Sequence, residues 1–152
     1  MLKQFIKRKA ILASVTSALT FAPVTQANKS ELTVHVTNID TSRPGDIVLM
    51  IFNETGFPKQ HDKAIYTLAT PADNTQLRFH LELELPVFAV KVLHDEIGDR
   101  KVTKNWTGII PSEGLGFSNG ATLSWRGAPT FKNAAIVGDS QTLSLTIPVI
   151  YP

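Results

Sequence analysis

The nine residues 77–85, LRFHLELEL, constrain the fold of this chain more than any other stretch. Every second residue is Leu or Phe, and the residues between them are Arg, His and Glu. Successive side chains of a strand point to opposite faces, so the two sets separate cleanly, which a helix would not allow. The pattern predicts a β-strand with one buried face and one face in water.

Similar signals recur along the chain and are separated by Gly, Pro, Asn and Asp. The continuous apolar run IVLMIF at 47–52 is typical of a central strand covered on both faces. No segment after residue 27 has the pattern of an amphipathic helix. The predicted strands are residues 31–36, 47–52, 64–68, 77–85, 87–94, 121–127, 134–138 and 141–151.

This rhythm predicts an all-β fold. We expect a Greek-key β-sandwich of about seven to eight antiparallel strands, immunoglobulin-like or prealbumin-like, with an up-and-down barrel as the alternative. One segment, residues 95–120, interrupts the strand rhythm and is longer than most structureless connections. Because it contains Trp106 and Phe117, we expect an ordered loop and look there first for a functional site.

The N-terminus has the features of an export signal. Four basic residues precede an uncharged apolar run of about a dozen residues, shorter than the roughly 20 that span a bilayer. Thr25 and Ala27 then fit the pockets of a signal peptidase. We therefore predict a signal peptide at 1–27, a single domain at 28–152, no stable membrane span after cleavage, and a periplasmic or secreted location.

Cleavage would change the electrostatics of the chain. The whole chain has 15 basic and 13 acidic residues, and four of the basic ones lie before residue 28. The remaining 11 basic and 13 acidic residues give a net charge of −2, so nucleic-acid binding loses its support. Cysteine is absent, so the exported fold must hold without disulfides.

The loop contains residues that could support a serine nucleophile, a calcium site or glycan hydrolysis. GFSNG at 116–120 matches the G-x-S-x-G nucleophile turn, but no strand-to-helix context surrounds Ser118, which favours an ordinary turn. Asp95, Glu96 and Asp99 offer oxygen ligands for calcium, although Ile97 and Arg100 break the spacing of a calcium loop. An enzyme alternative, acid-base hydrolysis of a glycan, would use carboxylates such as Asp95 and Glu113, with or without His94.

Other segments offer weaker alternatives. His80, Glu82 and Glu84 share one strand face and could hold a transition metal, but a wet sheet face explains them equally well. Trp106 and Trp125 could form a platform for sugar rings or a partner surface, or pack into the core.

Three segments, HDE at 94–96, PSEGLGFSNGA at 111–121 and APTFKNAA at 128–135, resemble a bacterial exported family known as domain of unknown function 2141. The resemblance covers nearly the whole region after the signal. It implies a β-sandwich similar to transthyretin-like and carboxypeptidase-regulatory-like modules, and it implies no activity. The chain departs from the family pattern at Ile97, Arg100 and Thr103, where the family tends to offer oxygen ligands or glycine.

We therefore expect a non-catalytic exported module that binds an envelope protein or a glycan through the loop. No catalytic residue and no required cofactor are predicted, with calcium at Asp95 and Asp99 as the alternative. The candidate binding residues are His94, Asp95, Glu96, Trp106, Glu113, Phe117, Ser118 and Asn119.

Overall fold

A computed structural model of the chain describes residues 29–108, 110–138 and 142–152. Eight strands within these residues form two sheets, and helix is limited to single turns. The smaller sheet has β1 (Ser30–Thr37) at its centre, between β4 (Leu77–Leu83) and β8 (Thr142–Pro148). The all-β prediction is confirmed.

The larger sheet contains the long apolar runs. Its order is β3 (Tyr66–Pro71), β2 (Asp46–Phe52), β5 (Val87–Asp95) and β6 (Leu115–Phe117), and β7 (Ile136–Val137) pairs separately with β5. All of these pairs are antiparallel. Strands β2 and β5 lie in the middle of the sheet, so the prediction of a central strand at 47–52 is confirmed.

One hydrophobic cluster contains side chains of both sheets. Alternate residues of β1, β4 and β8 meet alternate residues of β2 and β5, as the period of two requires. Its fully covered members include Val34 of the smaller sheet and Ile51 and Val90 of the larger one. The polar residues of β4, Arg78, His80 and Glu82, are exposed, as the alternation predicts.

The opposite face of the larger sheet carries a second apolar cluster. It is built on Val48, Met50 and Phe52 of β2 and on Leu93 of β5, with Leu115 and Phe117 of β6 beside them. Phe57 covers this cluster and makes edge-on ring contacts with Phe52, Phe117 and Phe131. The connection between β2 and β3 is thereby anchored on the outer face of the larger sheet.

Three parts of the predicted strand arrangement are wrong. The β1–β8 pair is parallel, because alternation fixes which face a residue takes and not which strand lies beside it. Residues 121–127 form a turn in which Ser124 and Gly127 exchange backbone hydrogen bonds, and Leu123 and Trp125 are exposed there. Residues 95–120 contain strand β6 and a 3-10 turn, Ser118–Gly120, so the irregular part is residues 96–114.

Strand β6 has three residues, and its middle residue must be glycine. A side chain at Gly116 would lie 2.7 Å from both Ile147 Cγ2 and the carbonyl oxygen of Pro148. Three residues are too few to show a period of two, which explains why the sequence pattern hid this strand.

The predicted signal peptide, residues 1–27, lies outside the described residues. Within residues 29–108, 110–138 and 142–152, no helix has the length and apolar character of a membrane span.

Candidate functional site

Asp95, the central acidic residue of the predicted site, is fully buried at the end of β5. Its two carboxylate oxygens accept hydrogen bonds from the backbone amides of Gly98 and Arg100, each at 2.9 Å. The Arg100 guanidinium lies 3.8 Å from the same carboxylate. Asp95 therefore folds the first turn of the segment 96–114 around itself.

Glu113 performs a similar task at the other end of that segment. It is buried, and its carboxylate accepts hydrogen bonds from the amides of Glu96 at 3.1 Å and Thr103 at 2.7 Å. Glu96 itself forms an ion pair with Arg43 at 2.8 Å, and this bond raises the pKa of the Arg43 guanidinium. The acidic residues of the loop thus serve as internal hydrogen-bond acceptors for it.

His94 is buried on the other face of β5. Its Nε2 donates to the carbonyl of Pro44 at 3.1 Å, and its Nδ1 lies within hydrogen-bond distance of the Tyr151 hydroxyl, at 2.7 Å. Burial raises the pKa of Tyr151, and its hydroxyl also accepts from the amide of Asp40. These hydrogen bonds attach Tyr151, close to the C-terminus, to β5.

Ser118 and Asn119 of the GFSNG segment join two parts of the backbone. The buried Ser118 hydroxyl donates to the carbonyl of Ala134 at 2.5 Å and accepts from the amide of Val90 at 2.9 Å. Asn119 adopts a left-handed backbone conformation, with φ of 57°, and its side-chain amide donates to the carbonyl of Asn133. The segment holds the single-turn helix α1, Phe131–Ala134, against β5.

The predicted metal ligands Asp95 and Asp99 have backbone partners. Asp99 accepts from the amide of Lys101 at 2.8 Å. In the part of the chain that the structure describes, no group of three or more His, Cys, Asp or Glu side chains is placed to hold one metal ion.

A cleft of about 1400 Å³ opens on the outer face of the larger sheet. Its floor is formed by Lys91 and part of the second apolar cluster. Its walls come from three connections, with lining residues at 58–62, at 99–102, 104 and 110–111, and at 123–128. Small-molecule sites usually occupy about 300–1,000 Å³, so this volume suits a large or elongated ligand. Of the predicted site residues, Asp99 and Phe117 line the cleft, whereas Trp106 is 96% exposed outside it.

Lys91 and His61 form a hydrogen-bonded pair in this cleft. Lys91 is only 3% exposed, and its Nζ lies 2.6 Å from His61 Nε2 and 2.9 Å from the carbonyl oxygen of Pro58. Burial lowers the pKa of Lys91 to about 7. Burial and, to a smaller degree, the charge of Lys91 also lower the pKa of His61.

Sequence reasoning missed both residues, although a signal for Lys91 exists. The strand VFAVKVLHD is apolar up to its last two residues except for one lysine, and a central strand buries both of its faces. A charge in such a strand has to be buried, and buried charges that lack a carboxylate partner are rare. His61 has no comparable signal, because only the folding of residues 53–65 brings it to Lys91.

Among known proteins, the chain matches one family model. The family model described as "Uncharacterized protein conserved in bacteria (DUF2141)" matches residues 34–145. No curated protein and no solved structure matches the chain.

Proposed function

This chain belongs to DUF2141, an uncharacterized family conserved in bacteria, and on that premise we propose that it is an exported binding module of the cell envelope. Its ligand occupies the cleft on the outer face of the larger sheet, and binding involves no chemical conversion. The observation that carries the proposal is the cleft itself, about 1400 Å³ with an apolar floor. Three connections between strands surround that floor, and binding sites are commonly built from loops that a scaffold of strands positions.

The non-catalytic part of the proposal is supported by the positions of the candidate catalytic groups. Ser118, Asp95 and Glu113 do not line the cleft, and backbone groups occupy their polar atoms. Export is supported by the signal-like residues 1–27. The shared core of the two sheets supports a β-sandwich, and a Greek-key connection of its strands is part of the same proposal.

A neutral apolar dye tests whether the cleft binds ligands. We expect Nile red to bind the purified protein with a stoichiometry of one, detected by its fluorescence. Thr67→Trp, an exposed position of β3 that lines the cleft, should abolish binding by filling the space. Thr146→Trp, at an exposed position of β8 in the other sheet, is the matched control and should bind normally.

Absence of Nile red binding to the wild type, or equal binding by Thr67→Trp, would contradict a ligand site in the cleft. The non-catalytic part has its own test. Turnover of an ester or a glycan that disappears in Ser118→Ala or Glu113→Ala protein would refute it.

A further inference from the structure

The environment of Lys91 is unusual for a lysine. It lies on the central strand β5, and its neighbours across the sheet are Met50 of β2 and Phe117 of β6, both nearly inaccessible to water. Among the described residues no aspartate or glutamate forms an ion pair with it. Glu113 acts on Lys91 through space, but amides of Glu96 and Thr103 occupy the Glu113 carboxylate. The charged form of Lys91 is therefore buried without an ion-pair partner among the residues that the structure describes.

The hydrogen bonds of His61 show how the protons are arranged. His61 Nδ1 lies 2.6 Å from the carbonyl oxygen of Arg100, which can only accept, so Nδ1 carries the proton of the neutral ring. His61 Nε2 is then an acceptor, and Lys91 donates to it. A second proton of Lys91 goes to Pro58, so a protonated Lys91 has one N–H left for a ligand in the cleft that it lines.

The charges around the cleft have one predominant sign. Six lysines and arginines line it against two aspartates, although residues 28–152 as a whole carry more acidic than basic groups. The walls between these charges are apolar, and Trp125 stands at the edge with the Arg126 guanidinium 4.7 Å from its ring. The cationic lining residues are Lys59, Lys91, Arg100, Lys101, Lys104 and Arg126, and the acidic ones are Asp62 and Asp99.

We propose that the cleft binds an amphiphilic carboxylate, an apolar chain with one anionic head group that accepts the remaining N–H of Lys91. The inference rests on the proposed ligand-binding function and specifies the class of ligand. The apolar chain covers the second cluster, which includes Met50, Leu115 and Phe117. The carboxylate supplies the counterion that the protein does not give to Lys91, and the rim cations attract the anion to the opening.

Binding of this kind requires uptake of a proton. Burial keeps the pKa of Lys91 near 7 in the free protein, and a carboxylate in contact with the amine favours its charged form. Affinity for the carboxylate should therefore fall by up to about tenfold per pH unit above neutrality. His61 and Glu113 are the titratable groups that act on Lys91, and the lowered pKa of His61 keeps its ring neutral between pH 7.5 and 9.

The test compares three 12-carbon probes below their micelle concentrations: dodecanoate, dodecanol and dodecyltrimethylammonium. Trp106→Phe protein leaves Trp125 at the cleft as the single tryptophan, and its fluorescence reports binding. We expect dodecanoate to bind at least about tenfold more tightly than dodecanol at pH 7, and the cationic probe to bind weakest. Lys91→Met should remove the preference for dodecanoate and keep dodecanol binding, whereas Lys132→Met, outside the cleft, should behave like the wild type.

A measurement on the protein without a change at Lys91 covers the case in which Lys91→Met fails to fold. Calorimetric titration of dodecanoate at pH 8 in phosphate and in Tris should give binding enthalpies that differ by the ionisation enthalpy of the buffers, corresponding to nearly one proton taken up. A lysine that only ties Pro58 and His61 to the sheet would produce neither the head-group preference nor proton uptake. Equal affinity for dodecanoate and dodecanol, or equal enthalpies in both buffers, would overturn the proposal. If Nile red still binds in that case, the binding function stands and only the ligand class is wrong.

Discussion

The buried amine of Lys91 should make the stability of this protein depend on pH above neutrality. The pKa of Lys91 is lowered from 10.5 to about 7 by burial, whereas the unfolded chain keeps the higher value. Between these two values the unfolded state binds more protons than the native state. The free energy of unfolding must therefore rise with pH from about 7 to 10.5 and lose this contribution as the pH falls.

The size of the effect follows from the same two values. Each pKa unit corresponds to about 1.4 kcal/mol, so the fully charged Lys91 lowers the stability of the native state by about 5 kcal/mol. From pH 9 down to pH 7, where native Lys91 becomes half protonated, the expected loss is about 2 kcal/mol. Because the chain has no cysteine, few other groups titrate in this interval.

Urea unfolding between pH 7 and 9, at constant ionic strength, measures this slope directly. Lys91→Met has no amine at this position and should show a nearly constant free energy of unfolding across the interval. Lys59→Met removes an exposed lysine from the rim of the cleft and should keep the wild-type slope. The absolute stability of Lys91→Met is less informative, because Pro58 and His61 lose a donor when the charge is removed.

A flat profile for the wild type would refute the reasoning. It would mean that the Lys91 amine keeps its ordinary pKa, and thus that water or an acid reaches it in the cleft. If the free energy of unfolding of Lys91→Met still rises with pH as in the wild type, a group other than Lys91 causes the pH dependence. That result would also refute the reasoning.

Three further predictions concern the signal peptide, the buried Ser118 and calcium binding. Full-length protein expressed in a bacterium should yield a mature form that begins at Asn28 by intact mass, and Ala27→Arg should leave the precursor uncut because arginine does not fit the peptidase pocket. Ser118→Ala should lower the free energy of unfolding by about 1–3 kcal/mol, because the amide of Val90 and the carbonyl of Ala134 lose their buried partner. In the same urea assay, the control Ser124→Ala, at an exposed turn, should change the free energy of unfolding by less than about 0.5 kcal/mol. The thermal midpoint of unfolding should be equal in excess calcium and in excess chelator, since backbone amides already occupy the carboxylate of Asp95. If calcium instead raises the midpoint by several degrees, and Asp95→Asn abolishes that rise, the protein has an ion site.

The parts of the fold that follow from alternation were predictable from sequence. In β4 the polar set has to face water and the leucines and Phe79 have to face the core, whichever strands lie next to it. Pairing is a different matter, because β1 can meet β8 in either direction without changing the face of a single side chain. At 121–127 the residue types fit a strand, but the segment pairs with no strand of the described ranges and closes on itself between Ser124 and Gly127.

The site was harder to predict, because its residues come from separate connections. Lys91 and His61 meet only because Phe57 anchors residues 53–65 on the second apolar cluster. Arg100 reaches His61 only because the carboxylate of Asp95 bends the start of the long loop. Contacts of this type depend on side-chain packing between loops, which leaves no periodic signal in the sequence.

The site predicted from the sequence and the proposed cleft differ in the sign of their charge, and one physical reason explains the difference. Acidic residues clustered in a loop suggest a cation site, and the sequence has such a cluster at Asp95, Glu96, Asp99 and Glu113. In the fold, a loop of 19 residues without its own sheet has many backbone amides to satisfy, and the buried carboxylates of Asp95 and Glu113 satisfy four of them. The lysines and arginine of the same segment, Arg100, Lys101 and Lys104, line the cleft, and Arg100 also lies 3.8 Å from the carboxylate of Asp95. The same segment that suggests calcium by composition therefore presents a surface suited to an anion.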